Sequence, residues 1–375
     1  MKKLLRLVSL LLVSGLLISC SAQETKKEEK TNGKDAIKIG FVGPLEGELS
    51  VYGNAVFNGG SLYLEEYNAK HGTNYVLVAY DSKGNNTEAV NAYNKLVDED
   101  KVVALFGGVV SGESIAIGSA SQSFKTPIIS PSATALDFTL TGDNVFRGCF
   151  TDPFQAKVLG QFAYNDLQAK NLAIIYDTGS DYSKGLTENF VKEYTALGGK
   201  VLANEGYNSG DVDFSAQLTK IAATNPDVLF VPNYYKDVAL IVSQARSLGI
   251  NAQILGGDGW DGVLAVVEDA KLLDGAIFVN HYAPDDEDVI AWFEAYKAKY
   301  GVDANSFAIL AYDTMGVLLA SLENSDLSSE SIISSLKNIS YDGILGNLKF
   351  DENGDPIKDL GYIVIKDGKY QTYSK

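Results

Sequence analysis

Residues 102–114 read VVALFGGVVSGES and residues 126–134 read TPIISPSAT. Each opens with a short run rich in β-branched and apolar residues and passes into a turn of glycine or small polar residues; the first then turns helix-like as far as Ser123. Strand, loop and helix in immediate succession are the unit of a parallel sheet. Ser111 is expected to be the N-cap of that helix, whose free N–H groups would suit an anion such as a carboxylate. Thr134 offers a hydroxyl and an amide in the next loop, beside the same cleft. Their joint placement in successive strand-to-helix loops specifies a small anion and no more.

The same beat runs outward in both directions. Ile37–Val42 and Tyr75–Tyr80 read as strands before it. After the segment Phe146–Pro153, which has no helical periodicity, strands recur at Leu172–Tyr176, Lys200–Ala203, Val228–Val231, Gln253–Gly256 and Ala276–Val279. Helices are expected over Asn58–Asn68 with a glycine C-cap at Gly72, over Val238–Leu248 and over Asp288–Tyr300. The run Asp351-Glu-Asn-Gly-Asp355 reads as a turn, since it lacks the ligand spacing of a calcium loop. About 340 residues beyond the N-terminal region suit two α/β cores better than one. In open α/β sheets ligands sit beyond the carboxyl ends of the strands. Two doubly wound lobes facing each other would therefore enclose a ligand between loops, and each half supplies a Tyr-containing loop after its first strand, at Tyr52 and Tyr182.

The N-terminus carries a different signal. Lys2, Lys3 and Arg6 precede an apolar run from Leu7 to Ile18, too short to span a bilayer and ending in small residues, as export signals do. The ending Leu17-Ile18-Ser19-Cys20 resembles the bacterial lipobox, so residues 1–20 are expected to be a lipoprotein signal with Cys20 acylated. Residues 21–35 read as a charged, solvated tether. Removing residues 1–19 takes away three positive charges and moves the formal net charge from −17 to −20. Such a surface argues against nucleic acid and against a polybasic membrane contact. Cys149 is then left without a disulfide partner, and His71 and His281 stand apart from other donors at metal-ligand spacing, so no metal site is expected.

No G-x-S-x-G elbow, histidine dyad or paired-carboxylate signature supports an esterase or protease, and no cofactor is called for. Gly257-Asp258-Gly259-Trp260-Asp261-Gly262 formally satisfies G-x-G-x-x-G, but the ribose-binding acid at the usual interval is missing.

From about Ile37 to the C-terminus the chain resembles the leucine/isoleucine/valine-binding family, the type I periplasmic solute-binding proteins of ABC transporters. The resemblance rests on Ile39-Gly40-Phe41-Val42-Gly43-Pro44 with Tyr52-Gly53, on Pro127 to Thr134 with the interval back to Ser111, on Asp227-Val228-Leu229-Phe230 through Tyr234, on Gln244-Ala245-Arg246, and on Gly256 to Trp260. It implies two Rossmann-like lobes, 36–152 plus 283–342 and 153–282 plus 343–375, with crossings near Asp152, Tyr282 and Gly343. It also implies a non-enzymatic, monomeric, extracytoplasmic lipoprotein that closes on a free amino acid, branched-chain or otherwise apolar, and delivers it to an ABC permease and its ATPase. Ser111 and Thr134 would then hold the α-carboxylate, the Ser132 carbonyl and Asp258 the α-ammonium, and Tyr52, Tyr182, Tyr234 and Trp260 would wall the pocket. The family often carries Glu where Asp258 stands, and the loop Glu46-Gly47-Glu48 is acidic, which leaves the side chain open. A sensory lipoprotein reporting to a membrane receptor, or a binder of an amide or other small polar solute, would have a similar site.

Overall fold

The computed structural model describes residues 36–374. The expected signal, Cys20 and the tether lie outside the described residues.

The first half runs β1 (Ile37–Gly43), α1 (Ser50–His71), β2 (Tyr75–Asp81), α2 (Asn86–Lys95), β3 (Ala104–Gly107), α3 (Ser111–Ser121), β4 (Ile128–Ser130) and β5 (Val145–Arg147). These strands form one parallel sheet in the order β2-β1-β3-β4-β5. Then follow α4 (Asp152–Gln161), β6 (Asn171–Asp177), α5 (Asp181–Ala196), β7 (Lys200–Tyr207), α6 (Ser215–Thr224), β8 (Val228–Phe230), α7 (Tyr235–Ser247), β9 (Gln253–Gly256) and β10 (Ile277–Asn280). The C-terminal part contains α8 (Glu287–Tyr300), α9 (Ser306–Glu323), α10 (Ser329–Asn338), β11 (Tyr341–Gly343), β12 (Gly346–Leu348), β13 (Gly361–Lys366) and β14 (Lys369–Thr372). The second sheet has the order β14-β13-β10-β9-β8-β6-β7, parallel except for β13 and β14. The fold is thus two Rossmann-like lobes, as expected.

Local chemistry explains the elements. The central strands β1, β3 and β4 are buried along most or all of their length, as parallel strands covered on both faces must be. Helix α1 is longer than the Asn58–Asn68 periodicity indicates, because Tyr52, Ala55 and Val56 also face the core. It ends where Gly72 turns left-handed and its N–H caps Asn68. Gly59 lets α1 lie directly on α9, since a Cβ there would come within 2.0 Å of the Ala308 carbonyl oxygen. Helix α9, long and apolar enough to suggest a membrane span, is a core helix with most of its residues buried.

The chain passes from the first sheet to α4 through 148–151 and from β10 to α8 through 281–286. The third passage lies later than Gly343. The Ile344 and Leu345 amides donate to Asp313 on α9 at 2.9 and 2.8 Å. Phe350 packs on Phe146 with centroids 5.1 Å apart, and Asp355 pairs with buried Arg147 at 2.6 Å. These contacts hold the chain on the first lobe as far as Asp355, and it joins the second sheet at Gly361. Residues 351–355 form the expected turn, closed by Asp351 N donating to Asp355 O at 2.8 Å.

Candidate ligand-binding cleft

In each sheet the strand order reverses beside the first strand, between β1 and β3 and between β6 and β8, and loops at such switch points diverge to leave a crevice. The loops after β3, β4, β8 and β9, together with α5 and α9, meet around a small cavity lined by Val109, Val110, Ser111, Ser132, Thr134, Tyr182, Tyr234, Asp258, Gly259 and Phe307. Its volume is about 10 Å³, roughly the room of one water molecule. Ligand pockets run to roughly 300 Å³ or more, so the lobes stand nearly closed on each other here and must part to admit a small molecule.

Six of the eight expected site residues line it. Ser111 is the first residue of α3 and not its cap; Val110 precedes the helix in extended geometry, and the Ser111 hydroxyl accepts from the Ala135 amide at 3.3 Å. The Ser111 amide donates to the Tyr234 phenol, so an incoming carboxylate would compete with that phenol for the same donor. Ser132 spends its hydroxyl on the Val109 carbonyl at 2.8 Å. The Thr134 carbonyl accepts from the Asp152 amide at 2.8 Å, and the nearby Thr134 hydroxyl favours the charged form of the Asp152 carboxylate.

From the second lobe, Asp258 opens a short 3-10 turn whose flanking glycines have no room for side chains. A Cβ on Gly257 would lie 2.7 Å from the Tyr182 hydroxyl, and one on Gly259 would lie 2.9 Å from the Tyr182 ring. No helix of dinucleotide-binding type follows Gly257, only short 3-10 turns. Tyr182 accepts from the Gly259 amide at 3.0 Å and stacks on Tyr234 at 4.9 Å. Burial pushes both phenols well above the usual tyrosine range, so they stay neutral.

Tyr52 and Trp260 are absent from the lining. Tyr52 is a strut between the lobes: its ring stacks on Phe307 at 4.0 Å, its hydroxyl donates to the Gly259 carbonyl, and it accepts from the Tyr235 amide at 3.1 Å. Trp260 turns into the second lobe's core, against Phe278, with its indole N–H on the Val231 carbonyl at 2.7 Å. A bulky indole gains more from full burial with one satisfied N–H than from a place on a small cavity's wall.

Four residues of the site escaped the sequence reading. Phe307 supplies an apolar wall. Gln155 of α4 donates from Nε2 to Asp152 at 2.8 Å and to Asp258 at 3.1 Å, bridging two buried carboxylates. His281 Nε2 lies 3.2 Å from Asp258 Oδ2, and its ring stacks on Phe150 at 3.7 Å. Burial lowers the imidazole below its usual range against the pull of Asp258, so a neutral ring with Nε2–H donating fits, leaving buried Nδ1 without a partner. Burial, and then the neighbouring Asp258, push the fourth, Asp152, up to about 7. Its Oδ2 has no hydrogen-bond partner. A cleft with two buried carboxylates and only neutral donors on them is set to receive a cation. Sequence could have flagged Asp152 only as the acid at the start of α4, since its proximity to Asp258 is tertiary.

Among the described residues no cluster of His, Cys, Asp or Glu could hold a metal. Cys149 is buried, and its thiol is raised far above its usual range by desolvation, as for an inert core cysteine.

Comparison with known proteins agrees with this architecture. A Leu/Ile/Val-binding protein of Rhizobium johnstonii is 32% identical over 331 residues, which is 85% of this chain and 88% of that protein. The crystal structure of a leucine-binding protein from Thermotoga maritima superposes with a TM-score of 0.85 at 35% identity, over 90% of this chain and 98% of the other. A branched-chain amino acid transporter substrate-binding protein from Streptococcus pneumoniae, solved with isoleucine, gives 0.84 at 31% identity, over 91% and 100%. The periplasmic binding protein family model matches residues 36–369, and the chain belongs to that family of extracytoplasmic solute-binding proteins.

Proposed function

We propose that this protein is the solute-binding subunit of an ABC importer, that it captures a free L-α-amino acid with an apolar side chain, branched aliphatic first, and that it passes this to a permease. The observation that carries the reading is the small cavity at which Ser111, Ser132 and Thr134 of one lobe face Asp258, Tyr182 and Tyr234 of the other. A zwitterion leaving water needs both charges paired, because an unpaired buried charge costs several kcal/mol. The α3 N-terminus and the Thr134 loop offer donors for the carboxylate, and Asp258, backed by Asp152, offers counter-charge for the ammonium. Val109, Val110 and Phe307 present apolar surface against which the side chain can pack once the lobes part to admit it. Because the partners are split between lobes, they are satisfied together only when the cleft is closed, so ligand drives closure about the crossing segments. Two relatives named for binding leucine or leucine, isoleucine and valine, and a branched-chain amino acid transporter protein solved with isoleucine, at 31 to 35% identity, support the ligand class.

A lipid on Cys20 would keep the protein beside its permease, and Cys20→Ala should release it from the membrane fraction. Thermal-shift measurement against all common amino acids tests the ligand. At about 100 times Kd the true ligand adds about 2.7 kcal/mol, several degrees in Tm. Response to a sugar or an amide with silence from every amino acid would overturn the reading.

A further inference from the structure

A second cavity, of about 600 Å³, opens between the lobes and shares no lining residue with the first. Val51 of α1 and Phe293 of α8 form one side, Leu264 and Tyr370 the other, and Tyr282 lies in the crossing after β10. Asp261 also lines it, at 1% exposure. Its Oδ2 accepts from Asn280 Nδ2 at 2.9 Å and from the Ser306 amide at 2.7 Å, while Oδ1 is buried without a hydrogen bond of normal geometry, the Ser306 hydroxyl and the Gly262 amide being further donors beside the carboxylate. Native proteins rarely leave a buried carboxylate oxygen in that condition, and Asp261 stands at the edge of a space large enough for a small molecule. The other charged residues on the lining are Asp303, already paired with Lys297 at 2.6 Å, and Lys369. Tyr282 and Phe293 stand edge to face at 5.1 Å, and their rings, with that of Tyr370, can hold an apolar body or the face of a cation.

We propose that this cavity is a second ligand site, taking a small primary amine with an apolar or aromatic body. The ammonium donates to Oδ1 of Asp261, and the body rests against Tyr282, Phe293 and Tyr370. The site is separate from the amino-acid cleft and does not depend on what that cleft binds.

Benzylamine is a suitable probe and benzyl alcohol its uncharged counterpart, each titrated calorimetrically into the full chain. One-to-one binding of the amine is expected, with the alcohol weaker by roughly ten- to a hundred-fold, the worth of a charge-assisted hydrogen bond. Asp261→Asn should weaken the amine by a similar factor. Since Asp261 also ties Asn280 to the start of α9, Ala265→Phe is the safer variant: exposed Ala265 borders the cavity, and the larger ring should block the amine while amino-acid binding is kept. Asp258→Asn, which disables the first cleft, should leave the amine bound. Absence of binding at millimolar benzylamine, equal binding of the alcohol, or amine binding lost in Asp258→Asn but kept in Ala265→Phe would overturn the proposal.

Discussion

His281 Nε2 lies 3.2 Å from Oδ2 of Asp258, both side chains almost fully buried, so the proposed ammonium partner is oriented by a neutral imidazole before any ligand arrives. His281→Ala should weaken amino-acid binding roughly tenfold, by removing a hydrogen bond to a charged group. It should also lower stability, because the ring stacked on Phe150 goes with it. His281→Gln keeps a donor and should recover most of the affinity but less of the stability. Calorimetric Kd values beside urea midpoints for both variants check this.

Proton uptake sets the second expectation. Asp152 is held at about 7 by burial and the nearby Asp258, and Glu113 at about 7 by burial, partly offset by its hydrogen bond from Ser82. Both stand above unfolded values near pH 4, so the folded chain carries protons that the unfolded chain has lost between about pH 4 and pH 7. The stability this gives is fully present below about pH 4 and is lost as pH rises through about 7. His281, lowered by burial, acts in the opposite sense below about pH 6.5, whereas Asp237, Asp261 and Asp313, each raised by burial, act in the same sense as the pair. The urea midpoint should therefore fall from pH 5 to pH 8 by an amount worth a few kcal/mol, and the slope should flatten in Asp152→Asn/Glu113→Gln.

Ligand binding should also move a proton. An ammonium on Asp258 offsets the charge that helps to hold Asp152 up, so Asp152 ionises as the cleft fills. Calorimetry near pH 7 in buffers of different ionisation heat should show proton release on binding the amino acid, absent in Asp152→Asn.

Arg147 gives the fourth expectation. It pairs through Nε with Asp355 at 2.6 Å and donates to the Ala133 and Ala135 carbonyls at 2.7 and 2.8 Å, fixing the loop that carries Thr134. Arg147→Met strands a buried carboxylate and should cost about 3–5 kcal/mol. Arg147→Lys should restore only part of this, because a lysine cannot reproduce the forked donor set. Thermal unfolding of both variants measures it.

The strand and helix pattern was readable because parallel strands are short apolar runs and glycine ends some of the helices in left-handed geometry, as at Gly72 and Gly301. Ser111, Ser132, Thr134 and Asp258 were readable because each follows a strand, and strand ends are where such folds place ligands. What could not be read is side-chain direction. Trp260 is two residues from Asp258 yet points into the core, and Tyr52 bridges the lobes instead of facing the cavity. The passage back to the second sheet was expected too early, since the Arg147–Asp355 pair joins residues 208 apart in sequence. Gln155 and His281 gain their roles only from contact with Asp258.

The central claim is that Asp258 supplies the second lobe's charge for an amino-acid ammonium. Titration of leucine into the wild-type chain and into Asp258→Asn tests it most directly. Removing one partner of a desolvated ion pair costs about 2–5 kcal/mol, so affinity should fall by roughly thirty-fold to several-thousand-fold. The ligand-free Tm should stay within about a degree or two, because losing one of two adjacent buried carboxylates offsets the poorer fit to His281. Unchanged affinity, or a grossly destabilised ligand-free protein, would contradict the account and leave Asp258 as a structural turn residue.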